Sequence, residues 1–270
     1  MGILNVTPDS FSDGGRFAKT HVAVQHAIAM AAAGADVIDI GGESTRPGSV
    51  GVSDAEQLAR VLPVIRETRI SGLTLPISID TRSAAVAAAA LDAGADMVND
   101  VSAARHDPAM AGMLAQSGAA FVAMHMLGTP ENMQNQPQYK NVVQNVSAFF
   151  EERAAALLAV GVDVANKMIV DPGIGFGKTL AHNLTLLRES SAAFGVRWPV
   201  LIGPSRKRFI GDLAGESNPS THGAAKSNSR LMGTAAAVAS CALSGVDMVR
   251  VHDVADMVAV IRVCESIAPS

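Results

Sequence analysis

Cysteine is scarce in this chain of 270 residues, which holds two, Cys241 and Cys264. They lie far apart, no CxxC spacing exists, and each falls in an apolar helical pattern. A disulfide-stapled scaffold and a thiolate zinc site are excluded, and two buried free thiols in a reducing compartment are expected. Aromatic residues make up only 4% of the chain, so the core must come from small and branched side chains. Charged residues reach 17%, the net charge is −4, and no long block of one sign occurs. Nothing here favours general attraction to nucleic acid or to an anionic membrane surface. Long hydrophobic runs are missing too. The most apolar helical stretch, 231–246, is Ala-rich and interrupted by Ser240 and Ser244. It compares poorly with the ~20 strongly apolar residues of a membrane span. No basic segment followed by an apolar run opens the chain, so no secretory leader is read and a soluble, cytoplasmic protein is expected.

What remains is 49% hydrophobic, enough for a large core. A single α/β barrel commonly has ~250 residues. Eight short apolar, β-branched runs cover 2–6, 36–40, 76–79, 95–98, 120–124, 168–170, 199–202 and 248–251. They end in Asn5, Gly41-Gly42-Glu43, Asp80, Asn99, His125, Asp171, Gly203-Pro204-Ser205 and His252. A polar group at the end of a buried strand is costly unless paired, so these ends suggest one ring of polar groups around one site.

Between the runs the pattern changes to helical spacing. Residues 21–33, 83–93, 110–117 and 231–244 each lead to a glycine, then Ala or Val, then the next β-branched run. Such repeated αβ units, with runs buried on both faces, argue for parallel strands covered by helices. A single (β/α)8 barrel over 1–270 fits better than a doubly wound sheet, which leaves two edge strands and fewer convergent ends. Three strand-to-helix loops, 7–19, 41–53 and 211–230, are long and polar, as lids or substrate loops are.

The segment from Asp171 to Thr179, DPGIGFGKT, looks like a phosphate loop but is not one, because Pro172 stands where Walker A needs Gly and Lys178 breaks GxGxxG. Its glycines are expected to let backbone approach a flat ligand, with Phe176 as a ring contact. The competing possibility is a turn capped by Asp171. Asp80, Asn99 and Asp171 suit a heterocycle with an amino-imine edge, since a carboxylate accepts two parallel N–H bonds. The alternative is that Asp80 and Asn99 cap the helices that follow. Arg250 and His252, two apart on one strand, share a face and suit an anion. Ser205, Arg206 and Lys207 follow the seventh run, as substrate groups or as a solvated basic turn. His125 has no partner at metal-ligand spacing. Asp9 and Asp13 are hard oxygen donors suited to Mg²⁺ through phosphate-bound water.

Taken in order, these segments resemble the dihydropteroate synthase family, the folate-pathway enzymes targeted by sulfonamides. The resemblance is carried by NVTPDSFSDGG from Asn5, GGESTRPG from Gly41, SIDT from Ser78, NDV from Asn99, DPGIGFGK from Asp171, SRK from Ser205 and RVHDV from Arg250. It spans nearly the whole chain. It implies a (β/α)8 barrel that joins 6-hydroxymethyl-7,8-dihydropterin diphosphate to 4-aminobenzoate, giving 7,8-dihydropteroate and diphosphate. By similarity, Asp80, Asn99, Asp171 and Lys207 hold the pterin. Arg250 and His252, with Asn5 as the metal ligand, hold the diphosphate and its Mg²⁺. Thr45 and Arg46 sit on a loop that closes over the diphosphate. Phe176, Ser205 and Lys207 border the aminobenzoate. Asp80, Asp171, Lys207 and Arg250 are the residues expected to carry catalysis, and the family is usually a homodimer. Three features depart from the family pattern. The chain opens directly in its first strand. Arg208 replaces a small Ser near the aminobenzoate carboxylate, which an Arg there is expected either to bind or to crowd. The stretch 212–230 is longer than the usual loop. Two other readings compete: a methyltetrahydrofolate-dependent methyltransferase barrel, and a barrel that binds pterin without catalysis.

Overall fold

The computed structural model describes residues 1–7, 16–43, 51–129, 132–215 and 224–268, with backbone alone for 16–18 and 224–227. Eight strands alternate with helices. The strands are β1 (Gly2–Asn5), β2 (Ile38–Gly41), β3 (Ile77–Asp80), β4 (Met97–Asp100), β5 (Ala120–Met124), β6 (Met168–Asp171), β7 (Leu201–Ile202) and β8 (Met248–Val249). The helices are α1 (Arg16–Ala32), α2 (Asp54–Ile70), α3 (Ala84–Asp92), α4 (Met110–Ser117), α5 (Val142–Ala159), α6 (Val164–Lys167), α7 (Leu180–Phe194), α8 (Arg208–Leu213), α9 (Ala224–Leu243) and α10 (Val254–Ile267).

Strands β1 to β6 form one parallel sheet in sequence order, and β7 pairs with β8. Two single bridges join these ladders into a ring. Val170 meets Val200 between β6 and β7, and Gly2 meets Val251 between β8 and β1. At the second seam Ile3 N donates to Val251 O (2.9 Å) and Val251 N to Met1 O (3.0 Å). The ring closes, so the architecture is the barrel and not the open doubly wound sheet.

Alternation along each strand sorts the core into two regions. Ile38, Ile40, Ile77 and Ile79 face outward into a cluster with Val61, Val64 and Ile65 of α2 and with Val86, Ala87 and Ala90 of α3. Inside the ring, Met1, Val37, Met97, Val122 and Leu201 form a separate apolar plug. Burying each of the larger side chains contributes about 1.5–3 kcal/mol. The polar residues two positions farther along β2 and β4, Asp39 and Asn99, therefore stand above the plug, inside the ring.

The repeated helix-glycine-strand unit has a local cause. Gly94, at φ +113°, takes the left-handed turn that ends α3. Asp96 then accepts the N–H of Ile77 (2.7 Å), and Asp247, in the corresponding place after Gly245, accepts the N–H of Val200 (2.8 Å). Each Asp ties the entry of its own strand to the entry of the neighbour. Cys241 and Cys264 are buried free thiols, and burial pushes the Cys241 thiol up to about 12. Among the described residues no helix is long and apolar enough to cross a membrane.

Candidate active site

The polar strand ends belong to the ladders themselves. Asp80 pairs in register with Gly41 and Asn99, and Asp171 pairs with Met124. Backbone pairing does not depend on side-chain polarity, so the strands run one or two residues past the apolar stretch. Neither Asp80 nor Asn99 caps a helix. Ser83 caps α3, accepting the N–H of Val86 (3.3 Å). The turn after β4 is held by Asp100, which accepts from Ser102 and Ala104. Both residues are left for the interior.

Asp80, Asn99, Val101, Met124, Asp171, Ile174, Phe176, Gly203, Lys207 and Arg250 line one cleft at the C-terminal ends of the strands. Its mixed polar and apolar lining suits a flat ring ligand. The sequence-derived residues Asp80, Asn99, Asp171, Phe176, Lys207 and Arg250 thus come together from β3, β4, β6, β7 and β8.

The electrostatics are tightly coupled. Arg250 donates from Nε to Asp39 Oδ2 (2.6 Å) and from a terminal nitrogen to Asp80 Oδ2 (2.8 Å). Asn99 Nδ2 donates to the same Asp39 oxygen (3.0 Å). Burial pushes the Asp80 carboxyl up to about 7, although Arg250 pulls it down. Burial likewise raises Asp171, against the Gly173 N–H bound to its Oδ1 (2.7 Å) and the cations around it. Lys207 is pushed down to about 8 by burial, with Asp171 resisting. Its ammonium lies 4.0 Å from the centre of the Phe176 ring, a cation–π contact. Two buried carboxyls whose pKa is raised and two cations around a small cleft can grip a nitrogen heterocycle and stabilise charge that develops on it.

Ser205 and His252 form a separate pair at the rim. Ser205 Oγ lies 3.0 Å from His252 Nδ1 and accepts the His252 N–H (3.1 Å). Arg206, at φ +57°, turns the chain so that its own guanidinium faces away and grips Asp253 through two bonds. Asn5 closes β1, half-buried, with its Oδ1 above Gly41. Thr45, Arg46, Asp9 and Asp13 lie outside the described residues.

Two expectations are refined. Gly173 and Gly177 serve the neighbouring loop, while a Cβ on Gly175 would meet the Lys207 side chain of the cleft at 3.1 Å. A Cβ on Gly173 would fall 1.9 Å from the His125 carbonyl oxygen, and one on Gly177 would meet Leu127 at 2.8 Å. Only bare backbone lets the loops after β5 and β6 lie against each other. Arg208 neither binds nor crowds the cleft: its side chain is 94% exposed, beside Asp212 at 3.7 Å.

Two buried residues behind the cleft lining were not singled out from the sequence. Asp39 is completely buried and anchors Arg250. Its signal was a carboxylate in the middle of the apolar run 36–40. Lys178 is also buried, beside His125. Its signal was a lysine enclosed in a glycine loop. Among the described residues no cluster of three or more His, Cys, Asp or Glu could hold a metal ion.

A family model described as pterin binding enzyme matches residues 1–252. A dihydropteroate synthase of Synechocystis is 43% identical over 267 residues, covering 99% of this chain and 89% of its own. The dihydropteroate synthase of Xanthomonas albilineans, solved with 4-aminobenzoic acid, superposes with a TM-score of 0.87 at 42% identity, over 99% of this chain and 92% of that one. That of Yersinia pestis, solved in complex with a sulfonamide drug, gives 0.88 at 40% identity, over 98% and 92%. With a closed barrel and an acidic, cation-lined cleft at its strand ends, this chain belongs to the dihydropteroate synthase family of pterin-binding enzymes.

Proposed function

We propose that the chain joins 6-hydroxymethyl-7,8-dihydropterin diphosphate to 4-aminobenzoate, forming 7,8-dihydropteroate in folate biosynthesis. The observation that carries this is the convergence of Asp80, Asn99, Asp171, Lys207 and Arg250 on one cleft walled by Phe176. Asp171, Asp80 and Asn99 take the amino-imine edge of the pterin, and Lys207 with Phe176 borders the space left for the arylamine. The amine nitrogen forms a bond to the pterin methylene carbon. The carbon–oxygen bond to diphosphate breaks, its electron pair leaves with the diphosphate, and the amine sheds one proton. Carboxylates against the ring favour the positive charge that grows there as the bond breaks. No protein nucleophile is required.

Arg250, His252 and Asn5 are assigned to the diphosphate side, with Thr45 and Arg46 on the loop above. Asn5 offers a single amide oxygen. That donor fits a Mg²⁺ ion that arrives on the diphosphate, and it does not fit a resident metal centre. Such an ion would neutralise charge on the leaving group.

The test is diphosphate release by the purified chain, dependent on both substrates. Release should vanish in Asp171→Ala. Turnover that survives that change, or requires a corrinoid and methyltetrahydrofolate instead, would overturn the assignment. We extend the proposal to inhibition by sulfonamides competitive with 4-aminobenzoate, to a cytoplasmic location and to a homodimer. Met232 and Leu243 leave apolar surface on α9. Light scattering should then report twice the 27.8 kDa of one chain.

A further inference from the structure

Lys178 is a buried lysine that the proposed chemistry does not touch, and burial pushes its ammonium down to about 7, with Asp171 resisting. Its exposure is 3%, and its Nζ lies 3.0 Å from His125 Nδ1, 3.3 Å from the His125 carbonyl oxygen and 3.0 Å from the Phe176 carbonyl oxygen. An ammonium carries three N–H donors and no acceptor, so three acceptors satisfy it. His125 fits the accepting role, because burial and then the Lys178 charge push its imidazole down to about 2 and keep it neutral. The contacts belong to two different loops. His125 follows β5, and Phe176 lies in the turn after β6. Other bonds tie the same turn: Gln134 donates to Gly175 O (2.7 Å), Tyr139 to Gly177 O (2.8 Å), and Gly175 N to Asn183 (2.8 Å). Lys178 ties the residue whose ring meets Lys207 in the cleft.

We infer that Lys178 is a positioning residue: by pegging the Phe176 carbonyl to the β5 loop, it fixes the aromatic wall against which Lys207 and the arylamine rest. Only the identity of the ligand at that wall depends on the proposed function; the loop contacts stand without it.

The test uses Lys178→Met in the full chain, alone and combined with Phe176→Leu. Deuterium uptake of the segment 172–177 should quicken by about tenfold or more, as a tie to the loop is lost. The KM for 4-aminobenzoate should rise about tenfold while kcat changes by less than about threefold, the pattern of lost ground-state binding. Lys178→Arg, which keeps the charge, should recover part of both effects. In the Phe176→Leu background the same change should raise KM by less than about threefold, because coupled residues are not additive. Uptake and KM that both stay within about twofold of the parent would overturn the inference, as would a KM effect undiminished without the ring. An inactive parent chain would count against the proposed function alone, and deuterium uptake would still decide the role of Lys178. Should Lys178→Met not fold, Lys178→Gln is measured by the same criteria.

Discussion

Replacing Arg250 by methionine, which keeps much of its volume, strips the cation from two carboxylates at once. Asp39 is completely buried and Asp80 nearly so, while the Arg250 side chain is 20% exposed. Removing one partner of a buried ion pair costs about 3–5 kcal/mol, because the other charge is left unpaired. Asn99 still donates to Asp39, so the lower half of that range is expected. For a chain of this size each kcal/mol moves Tm by about 2 °C, giving a drop of about 6–8 °C at neutral pH. The loss should depend on pH in a definite sense. The folded-state value of Asp80 is already raised to about 7, and Arg250 opposes the rise. Without Arg250 it must climb higher. Between the unfolded value near 4 and that raised value the folded state binds the extra proton, so stability falls as pH rises. The variant's deficit should therefore be largest above pH 7 and shrink toward pH 5. Urea unfolding of parent and variant at pH 5 and pH 8 measures this directly. A deficit below about 1 kcal/mol, or one larger at pH 5 than at pH 8, would show that the ion pairs are not what holds this part of the barrel.

Lys207, pushed down to about 8, should impose an alkaline limb on kcat/KM with a midpoint near that value, since the charged form is lost above it. In Lys207→Arg the limb should move beyond pH 10, and a limb that stays in place would assign it elsewhere. Gly173→Ala, at φ +69° and with its new carbon 1.9 Å from the His125 carbonyl oxygen, should cost at least about 2 kcal/mol in urea unfolding. A neutral result would mean that the two loops separate freely. Arg208→Ser should leave stability within about 0.5 kcal/mol and the 4-aminobenzoate KM within about twofold, because the side chain stands in solvent. A tenfold change in KM would place it in the site after all.

The barrel was legible because its grammar is local. Helical spacing, a glycine and a β-branched run recur, and polar residues mark where each run stops. Asp80, Asn99 and Asp171 could be read that way because buried strands tolerate polar groups only where something pairs with them. Asp39 escaped because it sits one turn of the pleat below the end, where the run 36–40 reads as continuous interior. Its partner, Arg250, is 211 residues away, a contact no spacing rule reveals. The glycine loop was legible only in part, for a similar reason. Its sequence shows that backbone must pass close to something, but not whether that neighbour is a ligand or the residues after β5. Arg206 and Lys207 look alike in sequence. The left-handed turn at Arg206 sends one outward to Asp253 and the other into the cleft.

The two ladders divide the charges between them. The six-stranded part contributes Asp39, Asp80 and Asp171, and the two-stranded part leads into Lys207 and Arg250. An incoming anion must therefore contest Arg250 with carboxylates of the chain itself. Its measured affinity is a net quantity, the attraction to the guanidinium less whatever the displaced internal partners give up. A neutral ligand that leaves those partners seated escapes that toll, so ionic strength should govern the two kinds of ligand quite differently.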